Sequence, residues 1–233
     1  MNKKLIFTGV ALIIIGAVVM FVNLTGGDEV DISEYESVQA EDDACPLDID
    51  ALIEENPDVY GVLEIEETDI VYPVLQSEDD TLYLDHNWKK SKDKNGALFT
   101  ESEYNSKDFN DSVTVIYGHH MRSGAMFGDL QEIFSDSESF ERHRSFKIYT
   151  EDGTYSYRVF AALPYDNRHI LYSYDFDNPI QKAAFFDTVF SVRDLGANII
   201  KKDYYPEGGR VVILSTCLKG NNKNRYLVMG QEV

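Results

Sequence analysis

The sequence is poor in cysteine, in basic residues and in repeated or low-complexity segments. Its 233 residues include two cysteines, at positions 45 and 217, and 21 lysines and arginines against 41 aspartates and glutamates. Two distant cysteines make neither a disulfide framework nor a zinc-ligand cluster. A net charge of -20 repels a phosphate backbone, so we expect no nucleic-acid partner. The length predicts one catalytic or binding domain.

One long apolar run is present, and it lies at the N-terminus. Residues 5–24, LIFTGVALIIIGAVVMFVNL, carry no charge, and about 20 such residues span a hydrocarbon core of about 30 Å. A cleaved signal peptide has a shorter apolar region and a small-x-small site, so the run favours a retained anchor. Lysines precede the run and acidic residues follow it. We therefore predict a single-pass protein of the cell membrane, with a cytoplasmic N-terminus and an extracellular domain.

The remaining chain divides into a tether and a globular domain. We assign residues 1–25 to the cytoplasmic tip and anchor, residues 26–46 to an acidic extracellular tether, and residues 47–233 to the catalytic domain. The tether has too few large apolar groups to offset its ordering entropy, although a short helical piece at 32–38 is an alternative. Cys45 ends the tether with no expected role, and a disulfide to Cys217 is a minor alternative.

The globular part is mainly β in pattern. Strands are predicted within the segments GVLEIEETDIVYPV, SVTVIYGHH, SFKIYT, TYSYRVFAAL, GRVVILSTC and RYLVMGQEV, which are rich in β-branched and aromatic residues. A short helix is predicted before Asn56, and two further helices around 127–134 and 179–192. Many short strands with few helices favour a closed or nearly closed barrel with helices outside it.

The ends of two predicted strands carry reactive side chains. Alternation along GRVVILSTC places Ser215 and Cys217 on one face and Thr216 on the other. If the polar loop LKGNNKN makes a hairpin, Arg225 lies beside Cys217. The segment SVTVIYGHH brings His119 and His120 to another strand end, on opposite faces if the strand stays regular.

A thiol, an imidazole and a guanidinium suit acyl transfer. A thiolate attacks a carbonyl, an imidazole protonates the leaving amine, and a fixed guanidinium stabilises the oxyanion. On the residues alone, four other interpretations of these side chains stay open. Cys217 can be a packed small hydrophobe, or the unreactive thiol of an anchored surface module. The chain can be a hydrolytic cysteine peptidase, although papain-like enzymes place Cys before His. His119, His120 and Cys217 can bind a metal, although they lack a zinc spacing.

Several motifs together resemble the class B sortases, which are membrane-anchored cysteine transpeptidases of Gram-positive bacteria. YGHHMRSGAMF at 117–127 resembles the histidine segment of that family. LSTC at 214–217, followed by Arg225, resembles its nucleophile strand and catalytic arginine. NPDVYGVLEIEETDIVYPV at 56–74 resembles its first strand pair, and the segment from YLDHNW to NGALF at 83–99 resembles the next. The resemblance covers nearly all of residues 48–233.

The resemblance implies a closed sortase-type barrel of about eight strands, with N-terminal helices and an extra helix at 179–192 between late strands. Cys217 would attack the Thr carbonyl of a sorting motif near the C-terminus of a secreted protein. His119 would transfer the protons, and Arg225 would hold the oxyanion or the substrate backbone. An amine from a peptidoglycan precursor or a pilin would resolve the thioacyl-enzyme. The implied substrate contacts are Asn87, Tyr117, Ser215 and Thr216; no metal or cofactor is implied, and we expect a monomer.

Three positions depart from the family pattern. Position 120 is His where Asn is common, position 62 is Val where Trp is usual, and Leu218 replaces an acidic residue often found after the cysteine. The last change removes a carboxylate that could orient the site or contact the substrate.

Overall fold

The computed structural model describes Ile32, residues 35–37 and residues 44–233. The predicted anchor at residues 5–24 and most of the predicted tether lie outside the described residues. Within the part of the chain that the structure describes, no helix combines the length and the apolar character needed to cross a bilayer.

The described chain forms nine strands and five α-helices. The strands are β1 (Val59–Ile65), β2 (Val71–Leu75), β3 (Leu98–Phe99), β4 (Val113–Tyr117), β5 (Ser145–Thr150), β6 (Gly153–Tyr165), β7 (Asn198–Ile199), β8 (Val211–Leu218) and β9 (Asn221–Glu232). The helices are α1 (Ile49–Glu55), α2 (Leu130–Ser135), α3 (Ser137–Arg142), α4 (Ile170–Ser173) and α5 (Pro179–Ser191). Two 3-10 helices are present at Leu82–Leu84 and Lys201–Asp203.

The strands close into a barrel. They follow the order β5-β1-β2-β3-β4-β8-β9-β6-β7, and an additional pairing of β5 with β6 closes the ring through every strand except β7. The pairs β2–β3 and β4–β8 are parallel, and the others are antiparallel. The predicted mainly β fold with a closed barrel of about eight strands is therefore confirmed. Closure pairs the edges that would otherwise be left open.

Strand β8 is buried on both of its faces. Val212 and Leu214 belong to a cluster that draws residues from every strand of the ring, which is the barrel interior. Val211 and Ile213 belong to an outer cluster in which α5 covers the sheet. This double burial explains the nearly continuous apolar run VVIL, because each fully buried aliphatic side chain contributes about 1.5–3 kcal/mol. The outer layer matters for function because the odd-numbered residues of β8 face it.

The predicted helices are confirmed, with shifted bounds. Helix α1 begins after Asp48, whose carboxylate accepts from the Ala51 backbone N–H, and α5 begins after the N-cap Asn178 with Pro179 in its first turn. The helix predicted around 127–134 begins later, at Leu130.

Two short helices have no counterpart in the sequence prediction. Asp136 accepts from two backbone N–H groups at the start of α3, and the His169 ring accepts from the Tyr172 N–H at the start of α4. The Asp136 cap before SESFER is a sequence signal for the start of this helix. The single turn of α4 is too short for a helical periodicity to show.

Candidate active site

Cys217 and Arg225 lie side by side on β8 and β9. The two residues are direct cross-strand partners, and Arg225 Nη1 donates to Cys217 Sγ at 3.7 Å. The predicted hairpin neighbourhood of the thiol and the guanidinium is therefore confirmed. Both side chains are half-buried. They follow the outer-layer residues of their strands by alternation, so they lie where that apolar layer ends.

The hairpin that joins the two residues is longer than expected. Strand β9 already begins at Asn221, so Lys219 and Gly220 alone turn the chain, with Gly220 at φ 76°. The expectation that all of LKGNNKN forms a loop was wrong, because polar residues in an exposed hairpin pair through their backbones as apolar ones do. The Lys219 N–H donates to Gln131 Oε1 at 3.0 Å, and the Lys219 ammonium pairs with Glu132. The tip is thereby held against α2.

His119 lies at the end of the neighbouring strand. Strands β4 and β8 run parallel with Tyr117 opposite Ser215, and the Gly118 N–H donates to the Ser215 carbonyl at 3.1 Å. His119 and Cys217 each follow their paired residue by two positions. The hydrogen bond of the His119 ring goes to the Leu84 carbonyl, 2.7 Å from Nε2. Because a carbonyl can only accept, Nε2 carries the hydrogen and Nδ1 keeps its lone pair.

The condition that the strand stays regular to its end is not met. Strand β4 ends at Tyr117, and the chain turns so that Phe127 N–H donates to the His119 carbonyl and His120 pairs with Met126. Gly118 makes this possible. A Cβ on Gly118 would lie 2.4 Å from Leu98 Cδ2 and 2.6 Å from Phe127 Cδ2. Glycine is therefore required at this position by close packing rather than by its φ angle.

His120 occupies a different environment from His119. Burial lowers the pKa of His120, and the nearby Lys219 charge lowers it further, against opposing effects of Glu132 and Asp129. Its Nδ1 is buried, with no hydrogen-bond partner among the described residues. His119 bonds towards the 3-10 helix Leu82–Leu84, whereas His120 lies towards α2 and the hairpin tip.

The four residues implied as substrate contacts differ in accessibility. Ser215 and Thr216 are 3% and 2% exposed. Their side chains are therefore buried, on opposite faces of β8. The Tyr117 ring stacks on Phe99 with centroids 5.5 Å apart, and its hydroxyl is buried. The Asn87 side-chain oxygen accepts from the backbone N–H groups of Lys89 and Ser91. Asn87 therefore shapes the turn beside Leu84, and any substrate contact by these four residues stays a prediction.

Leu218 lies on the opposite face of β8 from Cys217. Its side chain packs against the barrel-interior cluster, and a β-bulge separates Cys217 from Leu218 in the hairpin register. An apolar residue fits this environment.

Neither cysteine is in a disulfide. Cys45 and Cys217 are both free, so the minor alternative of a bridge between them is not realised. Burial raises the pKa of the Cys45 thiol to about 11, which keeps it protonated at neutral pH. Among residues 44–233 and the four described residues before them, no group of three His, Cys, Asp or Glu side chains is placed to hold a metal ion.

Comparison with known proteins supports the fold and the family. The sortase domain family model covers residues 63–233. Sortase B of Listeria monocytogenes is 33% identical over 188 residues, which is 76% of this chain and 71% of that protein. The crystal structure of Clostridium perfringens sortase B has a TM-score of 0.67 at 26% identity, covering 79% of this chain and 98% of that chain. A Streptococcus pyogenes class B sortase involved in pilus biogenesis has a TM-score of 0.67 at 27% identity, covering 79% and 97% of the two chains.

A closed barrel with a thiol and a guanidinium paired across the β8–β9 hairpin fits a cysteine enzyme of acyl transfer. The chain belongs to the sortase family, and the relatives it matches are class B sortases. It is a sortase-type cysteine transpeptidase.

Proposed function

We propose that this transpeptidase cleaves a C-terminal sorting motif of secreted proteins after Thr and transfers the acyl group to an amine. The observation that carries the proposal is the direct contact of Arg225 Nη1 with Cys217 Sγ at 3.7 Å. A fixed guanidinium at this distance can stabilise negative charge on the sulfur or on an adjacent oxyanion. The acceptor would be an amine of a peptidoglycan precursor or of a pilin.

In the proposed first half-reaction, the Cys217 sulfur bonds to the Thr carbonyl carbon while its proton passes to His119. Arg225 stabilises the oxyanion of the tetrahedral intermediate. His119 then protonates the departing amine, the C–N bond breaks, and a thioester remains on Cys217. Since Nε2 of His119 is bonded to the Leu84 carbonyl, Nδ1 is the atom that accepts and returns the proton.

In the proposed second half-reaction, an incoming amine attacks the thioester and gives its proton to His119. The C–S bond breaks, and the new amide leaves with the thiol restored. The pilus role of the Streptococcus pyogenes relative supports a pilin lysine as one candidate acceptor. The uncharged run at residues 5–24 supports a membrane anchor that holds the domain outside the cell, where both substrates are found.

The test uses the full-length chain in detergent, mixed with a library of Thr-containing sorting peptides. We expect a thioacyl adduct on Cys217, identified by mass, and a new amide product when an amine is added. Cys45 serves as the internal control, because its protonated thiol should stay unmodified. An adduct that yields only the free acid in the presence of amines would indicate a hydrolytic peptidase instead.

The role of Arg225 is tested in the same assay. Arg225→Ala should lower the rate of adduct formation about a hundredfold or more, because an oxyanion donor is lost. Arg225→Lys should restore little, since a flexible point charge does not reproduce the planar fork. Near-normal turnover of Arg225→Ala would show that the arginine is only a structural neighbour of the thiol.

A further inference from the structure

His169 joins two segments that are distant in sequence. It precedes α4 in the connection between β6 and α5, and its Nε2 lies 3.0 Å from the carboxylate of Glu101, which follows β3. The side chain of Glu101 is 16% exposed and that of His169 is 38% exposed. The pair is thus partly shielded from water, where a charge-assisted hydrogen bond is stronger than on an open surface.

Both ring nitrogens of His169 are in use. The Tyr172 backbone N–H donates to Nδ1 at 3.1 Å, which caps α4. A nitrogen that accepts a hydrogen bond carries no hydrogen, so Nε2 is the protonated atom and donates to Glu101. The tautomer is therefore set by the cap, and the same ring orders the first turn of α4 and ties it to Glu101.

This clip lies beside the candidate active site. Tyr165, the last residue of β6, is the cross-strand partner of Arg225, so the segment that leads to His169 leaves the sheet next to the guanidinium. The His169 ring lies 5.0 Å from the Tyr104 ring and 6.4 Å from the Tyr117 ring.

Tyr117 links the clip to the site electrostatically. Burial raises the pKa of Tyr117, Glu101 raises it further, and Arg225 lowers it. Glu101 and Arg225 therefore both lie close enough to the Tyr117 hydroxyl to affect its pKa, with opposite signs. The mechanism proposed above uses neither Glu101 nor His169.

We propose that Glu101 and His169 are a positioning pair that clips the connection between β6 and α5 to the loop after β3, and that this connection, which leaves the sheet beside Arg225, is the wall against which the sorting peptide binds. The proposal rests on the proposed function, because it assigns the pair to that substrate. Neither residue transfers a proton or touches the reacting atoms. Their effect is on peptide binding, because an ordered wall removes part of the ordering entropy from the binding step.

The experiment measures kcat and KM of the full-length chain for a sorting peptide. Glu101→Ala and His169→Asn should each raise KM about tenfold or more, with kcat within about threefold of the unmodified chain. Asn is a good helix cap but is too short to reach Glu101, so His169→Asn separates the clip from the cap. Glu101→Gln should stay near the normal KM, because its amide oxygen can still accept from His169.

A double variant and a control complete the test. Glu101→Ala combined with His169→Asn should have a KM no higher than the worse single variant, because both remove one interaction. Glu103→Ala, a neighbouring exposed acid, should leave KM unchanged and controls for the loss of charge. Circular dichroism checks that each variant is folded, and if Glu101→Ala does not fold, His169→Asn decides.

Three results would overturn the pair. These are an unchanged KM in His169→Asn, additive effects in the double variant, or a fall in kcat with KM unchanged. Failure of the proposed function has a different signature, because the unmodified chain would then form no thioacyl adduct with any sorting peptide.

Discussion

The two adjacent histidines leave β4 towards different surroundings, and this separation favours His119 for the predicted proton transfer. His119 is bonded to the Leu84 carbonyl, with Nδ1 available for proton transfer. His120 is half-buried among Lys219, Glu132 and Asp129 on the α2 side. A histidine whose neighbours belong to another surface is poorly placed to serve Cys217.

We expect His119→Ala to abolish transpeptidation. Removal of a general acid–base group costs about a hundredfold or more in rate, whereas an accessible position at a strand end changes stability by under about 1 kcal/mol. His120→Asn should remain active. The measurement is the turnover of a sorting peptide by His119→Ala and by His120→Asn. Circular dichroism checks that the two variants are equally folded. An active His119→Ala beside an inactive His120→Asn would reverse the assignment.

At the scale of elements, a buried guanidinium joins α3, β6 and the 3-10 helix Lys201–Asp203. Arg144 is 6% exposed, and its Nε donates to the Val159 carbonyl at 2.9 Å. Its Nη2 pairs with the Asp203 carboxylate and its Nη1 with Glu141. A buried charge with one partner removed is costly, because its desolvation is no longer offset.

We therefore expect Asp203→Asn to lower the free energy of unfolding by about 2 kcal/mol at neutral pH, because one charge-assisted hydrogen bond is weakened while Arg144 keeps Glu141 and the Val159 carbonyl. The hydrogen bond from Arg144 lowers the pKa of Asp203 below its usual 3.8. A depressed folded-state pKa means that the stabilisation is complete above pH 3.8 and is lost as pH falls through the lower, folded-state value. Urea unfolding of the unmodified protein and of Asp203→Asn, between pH 7 and pH 2, measures this loss of stabilisation.

The difference in the free energy of unfolding between the unmodified protein and Asp203→Asn should be constant near neutral pH and should narrow below pH 3.8. Asp152→Asn is the matched control, because Asp152 is an exposed acid in the β5–β6 turn. A difference that is absent at pH 7, or equal for the two variants, would contradict a structural role for the Arg144–Asp203 pair.

The elements that were predictable from sequence are those with a strong local pattern. Strands β5, β6 and β8 follow their β-branched runs, and the pairing of Cys217 with Arg225 follows from a hairpin between two such runs. The end of β4 was not predictable, because it depends on Leu98 and Phe127 closing over Gly118 from distant parts of the chain. The Glu101–His169 clip was not predictable from sequence either, because its two residues are 68 positions apart in the chain.

At the scale of the whole molecule, the described residues of the predicted tether contact the barrel. Tyr35 packs edge-on against Trp88 with ring centroids 5.0 Å apart, and Ile32 packs against the cluster of buried residues that includes Trp88. The Ser37 hydroxyl donates to the Cys45 carbonyl at 2.7 Å. Tyr35 thus covers part of Trp88, the only tryptophan in the sequence.

We expect deletion of residues 1–25 to give a water-soluble, monomeric and active protein, because the apolar run is removed and the Tyr35–Trp88 contact is kept. Deletion of residues 1–43 removes that contact, and should shift the Trp88 emission to longer wavelength and lower Tm by a few degrees. Tryptophan fluorescence and thermal unfolding are measured for both deletion variants and compared. Recovery of the shorter deletion only as aggregate or as folded, inactive protein would contradict the predicted anchor and tether.

The parallel pairing of β4 with β8 has a consequence for the order in which the enzyme acquires its reactivity during folding. Cys217 and Arg225 are eight residues apart and meet within one hairpin, a local event of low entropic cost. His119 reaches them only when two strands nearly a hundred residues apart align, and such non-local pairing is slow. A nascent chain therefore acquires its thiol–guanidinium pair early and its proton carrier late, so acyl transfer waits for the barrel to close.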